Sequence, residues 1–181
     1  ILNWHPNTAL VICDSFQQST TNANPSTASA HEDYEPLAHA PRNILKKQIN
    51  ELLALGYEAN VATELEFHLF KENYDDARAK HYHDLKLTSA YNHDSHILST
   101  STCEPLMRDI RTSLSYAGIN VESTKGESGK GMYEINIAYD EPLKTADNHA
   151  VVKYACKSIA QKHDMSACFM AKWHHDHPGC S

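Results

Sequence analysis

Four glutamates stand out by type and spacing. Glu64 and Glu66 sit two apart in an alternating segment, Glu134 lies inside a second such segment, and Glu127 just precedes it. Residues at i and i+2 of a strand point to the same face. If the two segments are neighbours in a sheet, all four carboxylates approach one region, and such a cluster repels itself unless cations occupy it. Hard cations with oxygen ligands, Mg²⁺ or Mn²⁺, are the natural occupants, because no thiolate-rich or imidazole-rich spacing surrounds these glutamates. A Glu-x-Glu pair equally suits a solvated sheet face, so the wider sequence has to decide.

The elements that must position these side chains follow from periodicity. Val61 to Phe70 (VATELEFHLF) alternates, with Leu65, Phe67 and Leu69 on one side and Glu64, Glu66 and His68 on the other, which predicts a strand with a charged face. Met132 to Tyr139 repeats the pattern, setting Glu134 and Asn136 opposite Tyr133, Ile135 and Ile137, and Gly126, Gly129 and Gly131 form the turn that leads into it. Before that turn, Pro105 opens a helix with a Leu106, Ile110, Leu114, Ala117 stripe that stops at Gly118, and Ile119 to Ser123 returns as a strand. Earlier still, Thr8 to Cys13 (TALVIC) reads as a buried strand and Gln17 to His39 as an exposed loop or insertion. Pro41-Arg42 then starts a helix carrying Leu45, Ile49, Leu52 and Leu53 on one face until Gly56. A third helix runs from about Thr145, read as its cap, to about Lys162, and Ser166 to Met170 closes as a strand. This order, without an internal repeat, predicts an α+β fold.

A chain of 181 residues that is 41% hydrophobic can bury one core, so we expect one domain. The net charge of -7 argues against a nucleic-acid partner, since no basic face can neutralise several phosphates. No apolar run approaches the roughly 20 residues of a membrane span, and five cysteines without a CxxC pair fit a reducing, cytoplasmic setting. The opening Ile1 and the abrupt Ser181 read as cuts in a longer protein.

Other chemistry-bearing residues are assigned milder roles. His174, His175 and His177 beside Asp176 are of transition-metal ligand type, but no Cys or His partner set accompanies them, and a polar loop is the favoured reading. His68, Cys156 and Cys168 are expected as packing residues. Gly126 to Gly131 lacks the lysine spacing of a phosphate-binding P-loop.

Several separated motifs, in order, resemble the catalytic domain of the glutamine synthetase family, class I branch. Trp4 with Pro6 and then Thr8 to Asp14 is similar to the family's entry strand, Pro41-Arg42 to its helix start, and Ala62 to Phe70 to its ExEF strand. Val121 to Asn136 (VESTKGESGKGMYEIN) resembles its E-x4-E segment, glycine turn and Gln-x-Glu-Ile. Ala146-Asp147, Lys153 and Ala167 to Lys172 (ACFMAK) continue the match.

The resemblance implies a portion of a curved antiparallel sheet with flanking helices. It implies that Glu66, Glu127 and Glu134 hold one metal, Glu64 helps hold another, Glu122 contacts ATP, and Gly179 begins the glycine-rich loop beside the substrate amino acid. The implied reaction is glutamine biosynthesis: ATP-dependent joining of glutamate to ammonia through γ-glutamyl phosphate. Ligation of glutamate to a polyamine or other primary amine, or a non-catalytic structural relative, are the alternatives. A ring, dodecameric in the family's usual form, is the implied self-association. Residues 1–181 would be the N-terminal portion of the catalytic domain, with an insertion at 17–39, the small N-terminal domain and the C-terminal half lying elsewhere, and the segment alone inactive. Two departures are local: Gly129-Lys130-Gly131-Met132 replaces the family's usual Gly-Pro-Gly-Gln, and the 17–39 connection exceeds the usual length.

Overall fold

The computed structural model describes residues 2–18 and 34–180. Its elements are β1 (Phe16–Gln18), β2 (Tyr34–Pro36), α1 (Pro41–Ala54), β3 (Glu64–Phe70), α2 (Tyr74–Ala79) and α3 (Ile97–Ser101). These are followed by α4 (Glu104–Tyr116), β4 (Val121–Gly126), β5 (Met132–Ile137), α5 (Pro142–Lys162) and β6 (Ser166–Cys168).

Alternation in β3 and β5 decides how the sheet is used. An antiparallel four-stranded sheet forms in the order β4-β5-β3-β6. Leu65, Phe67 and Leu69 of β3 and Tyr133, Ile135 and Ile137 of β5 face one way. They meet Leu106, Ile110 and Leu114 of α4 and Val152, Ala155, Cys156 and Ile159 of α5 in a single buried core. The sheet's other face is left to Glu64, Glu66, His68, Met132, Glu134 and Asn136. The α+β architecture expected from the sequence is the one observed.

Because Ile110 is fully buried, an Ile110→Ala change should cost roughly 2–5 kcal/mol. Urea unfolding should show a lower midpoint at unchanged slope.

The local outcomes differ in instructive ways. Thr8 to Cys13 is not a buried strand: Leu10, Val11 and Ile12 are 46%, 75% and 42% exposed. A strand needs a neighbour to share its ladder hydrogen bonds. Among the described residues this segment has only an isolated bridge between Leu2 and Thr8. Its end is tethered electrostatically instead, Asp14 pairing with Arg42 and with Lys46 at 2.5 Å, while Arg42 also reaches Asp147 at 2.9 Å. The Pro41-Arg42 start of α1 therefore ties three segments together. The stripe of α1 is less covered than its pattern suggests, with Leu53 50% exposed and no residue of the helix fully buried.

Helix α5 starts three residues before Thr145. Glu141 caps it, accepting hydrogen bonds from the amides of Leu143 at 2.9 Å and Lys144 at 2.5 Å. Pro142 at the first turn has no amide to satisfy. Thr145 lies inside the helix, and its hydroxyl donates to the Val61 carbonyl at 3.0 Å. The 17–39 segment, expected as a loop, carries strand at both ends: β1 and β2 pair antiparallel with Phe16 opposite Pro36 and Gln17 opposite Glu35; residues 19–33 lie outside the described residues. No helix among the described residues is long and apolar enough to cross a membrane.

Candidate functional site

Register places the carboxylates. The antiparallel pairing of β3 with β5 sets Glu66 directly opposite Glu134, a like-charge cross-strand pair that is unfavourable without a counter-charge. Glu127 arrives from the turn after β4, where its amide donates to the Met132 carbonyl at 2.8 Å. One carboxylate oxygen each from Glu66, Glu127 and Glu134 lies within 4.8 Å of the others.

The turn that aims Glu127 depends on two glycines. Gly131 has φ of +61°, the left-handed region that glycine enters without penalty. At Gly126 a Cβ would stand 2.2 Å from Thr100 Cγ2 and 2.6 Å from the His93 carbonyl oxygen. His93 is fully buried and braces the same turn, its Nε2–H donating to the Met132 carbonyl at 2.7 Å. Gly126→Ala should therefore displace the turn and lower the thermal midpoint; an unshifted melting curve would show that the close approach is not maintained.

The cluster already contains one cation. Lys125, opposite Glu134 in the β4-β5 register, ion-pairs with Glu127 and lies 3.6 Å from Glu134 and 3.4 Å from Asp94. Hydrogen bonding to Glu127, more than any other contact, raises the Lys125 pKa and keeps it protonated. Burial, then the hydrogen bond and charge of Glu127, push Glu134 up to about 7. Burial works against ionising Glu127 too, but its hydrogen bonds with Glu134, Lys125 and the Ser128 amide outweigh it and hold that carboxyl below the usual range. Three oxygen donors converging on a point where a lysine partly offsets their charge suit a hard divalent cation. An ammonium group is a poor substitute, because it cannot accept several carboxylate ligands at metal-ligand distances.

The other sequence-derived residues are placed as follows. Glu64 lies one step along β3 on the same face, exposed, opposite Asn136, and outside the group of three. Glu122 is exposed on β4 at the irregularity between Val121 and Ser123. Gly179 packs against backbone: a Cβ there would stand 2.6 Å from the Ala171 carbonyl oxygen, which also accepts the Cys180 amide at 2.8 Å. That folds residues 171–180 back over the polar face of β3, where Cys180 Sγ is 3.3 Å from His68 Nδ1. Burial, then the nearby charge of Glu66, pushes the Cys180 thiol up to about 12. Burial likewise lowers His68 to about 4, so this thiol-imidazole pair is neutral on both sides. Met132 is buried, with its thioether beneath Gly129, whereas Lys130 is exposed.

Sequence reasoning missed Lys125 and His93. Lys125 was recoverable only through register, as the residue opposite Glu134; His93 carried no signal of its own.

These features occur in a recognised frame. Residues 38–181 match the family model described as glutamine synthetase, catalytic domain, and the chain belongs to this family. It is 41% identical over 172 residues to a gamma-glutamylethanolamide synthetase of Streptomyces coelicolor, a match covering 95% of this chain and 34% of that protein. A glutamate–isopropylamine ligase of a Pseudomonas species is 36% identical over the same shares. A glutamine synthetase of Pyrococcus woesei is 34% identical over 142 residues, 78% of this chain and 30% of that one. The solved structure of GmaS without ligand superposes with a TM-score of 0.67 at 24% identity, over 81% of this chain and 34% of that one, and supports the same fold. The chain thus spans about a third of the length of these relatives.

Proposed function

We propose that this chain supplies the carboxylate half of a divalent-metal site in an ATP-dependent ligase that joins the side-chain carboxylate of glutamate to an amine. The observation that carries this reading is the convergence of Glu66, Glu127 and Glu134 within 4.8 Å in a glutamine synthetase catalytic-domain frame.

Glu66, Glu127 and Glu134 would hold Mg²⁺ or Mn²⁺, with Glu64 contributing to a second ion, Glu122 meeting the nucleotide and Gly179 lying against the amino-acid substrate. When bound, the metal offsets phosphate charge as the glutamate carboxylate attacks the terminal phosphorus of ATP. The chain's own residues have two tasks. Rigid strands fix the spacing of the three carboxylates, so little ordering is left to be done at each turnover. The segment 171–180, folded over the polar face of β3, helps keep water from an acyl phosphate before the amine arrives.

The acceptor is proposed to be a small primary amine. The sequence reading led on ammonia, but the two relatives matched over 95% of the chain carry ethanolamide and isopropylamine in their names. The 34% identity to a glutamine synthetase keeps ammonia as the second reading. Offering ammonia, ethanolamine, isopropylamine and putrescine separately to the complete protein, with product mass read out, decides between them. A γ-glutamyl amide formed faster than glutamine supports the first; glutamine alone overturns it.

The chain is further proposed to be the N-terminal portion of its catalytic domain, inactive alone, and the complete protein a ring whose sites are shared between neighbours. A fully active monomer at high dilution would contradict that arrangement.

A further inference from the structure

The segment after β6 places four residues of ligand type in succession, His174, His175, Asp176 and His177. In the fold, one ligand atom each of His174, His175 and Asp176 lies within 4.8 Å of the other two. His175 Nε2 stands 3.1 Å from Asp176 Oδ2, and His174 Nδ1 accepts the Asp176 amide at 3.2 Å. The two imidazole rings stack with centroids 4.5 Å apart. The base of the loop is anchored by Trp173, which meets the edge of Phe70 at 4.9 Å and stacks on His177 at 4.9 Å.

We propose that His174, His175 and Asp176 form a binding site for a first-row transition-metal ion of the Zn²⁺ type, distinct in ligand chemistry from the all-carboxylate cluster. Two imidazoles and one carboxylate select Zn²⁺, Cu²⁺ or Ni²⁺ over Mg²⁺, which favours oxygen ligands alone. The ion takes the place of the proton shared by His175 and Asp176, and the His174 lone pair turns to it from the Asp176 amide. That exchange loses the Asp176 amide's hydrogen bond to His174 and the His175–Asp176 side-chain contact, both at the surface, where each is worth little. His177 is held against Trp173, which leaves three protein ligands and an open position for water. Because Gly179 and Cys180 follow within a few residues, an ion here also fixes the loop that lies over β3. This site does not rest on the ligase reading and can stand if that reading fails.

The test uses the complete protein in excess Mg²⁺, which competes for the carboxylate cluster, and the histidine substitutions separate the two sites. Calorimetric titration with Zn²⁺ should show one equivalent bound, with affinity lowered at least tenfold in His174→Ala and in His175→Ala and unchanged in Lys47→Ala. Cu²⁺ at one equivalent should give an electron paramagnetic resonance spectrum with coupling to two imidazole nitrogens, reduced to one in His175→Ala and lost when His174 and His175 are both replaced by Ala. All the substituted side chains are at or near the surface, and circular dichroism checks that folding is kept. No Zn²⁺ binding, binding unchanged by the two histidine substitutions, or a Cu²⁺ spectrum showing oxygen ligands only would each overturn the proposal.

Discussion

Glu127→Ala in the complete protein is expected to weaken Mn²⁺ binding by about 100-fold or more, and to lower glutamate-dependent ATP turnover by at least the same factor. Substitutions one shell further out than a metal ligand already cost roughly 10–100-fold, and Glu127 is one of three carboxylates that share one point. Its side chain is only 12% exposed, so water cannot readily replace the lost oxygen with matching charge. Titrating free Mn²⁺ by electron paramagnetic resonance measures the affinity directly. Mn²⁺ affinity in Glu127→Ala equal to that of the unmodified protein would mean the cluster is held together for some purpose other than metal.

Lys125→Met tests the same cluster from the opposite side. Lys125 is the cation that Glu127 and Glu134 share, and removing it leaves the converging carboxylates without that counter-charge. Without divalent metal, the variant should lose roughly 1–2 kcal/mol of stability, a figure discounted because Lys125 is 43% exposed to solvent. Metal should reverse the loss. A ligand at a hundred times its dissociation constant stabilises by about 2.7 kcal/mol, and in this variant Mn²⁺ no longer competes with an ammonium group. The thermal midpoint of Lys125→Met should thus rise more on adding Mn²⁺ than that of the unmodified protein. An equal rise in both would show that Lys125 and the metal do not occupy the same electrostatic niche.

What the sequence made legible was whatever depends on side-chain period. The stripe from Leu106 to Leu114 and the alternation in Glu64 to Phe70 and in Met132 to Ile137 each produced the element they predict. Burial against a distant neighbour was not legible. Thr8 to Cys13 has strand composition yet lies exposed, because composition does not say whether another strand runs beside it. Helices α2 and α3, of six and five residues, are too short to develop a period. Caps were less readable: a threonine is a favoured cap type, yet Thr145 lies three residues past the helix start at Pro142, and Glu141 caps instead.

The carboxylate site shows the same division. That Glu64 and Glu66 share a face followed from a period of two, but that Glu66 rather than Glu64 faces Glu134 is a matter of register, which pairing of β3 with β5 alone decides. Register likewise brought Lys125 into the cluster. The histidine tract at 174–177 lies in a loop, as its polarity suggests; that one ligand atom each of His174, His175 and Asp176 falls within 4.8 Å of the other two depends on how the backbone turns there, which residue types do not specify.

The account turns on whether the three convergent carboxylates serve metal-dependent phosphoryl chemistry. The most direct measurement is the initial rate of ADP release by the complete protein, given ATP, glutamate and ethanolamine, as Mg²⁺ is varied from none to saturating. We predict release that requires both Mg²⁺ and glutamate and that Glu134→Gln reduces to background. ADP release that persists without divalent metal, or that Glu134→Gln leaves unchanged, would contradict the assignment of this site.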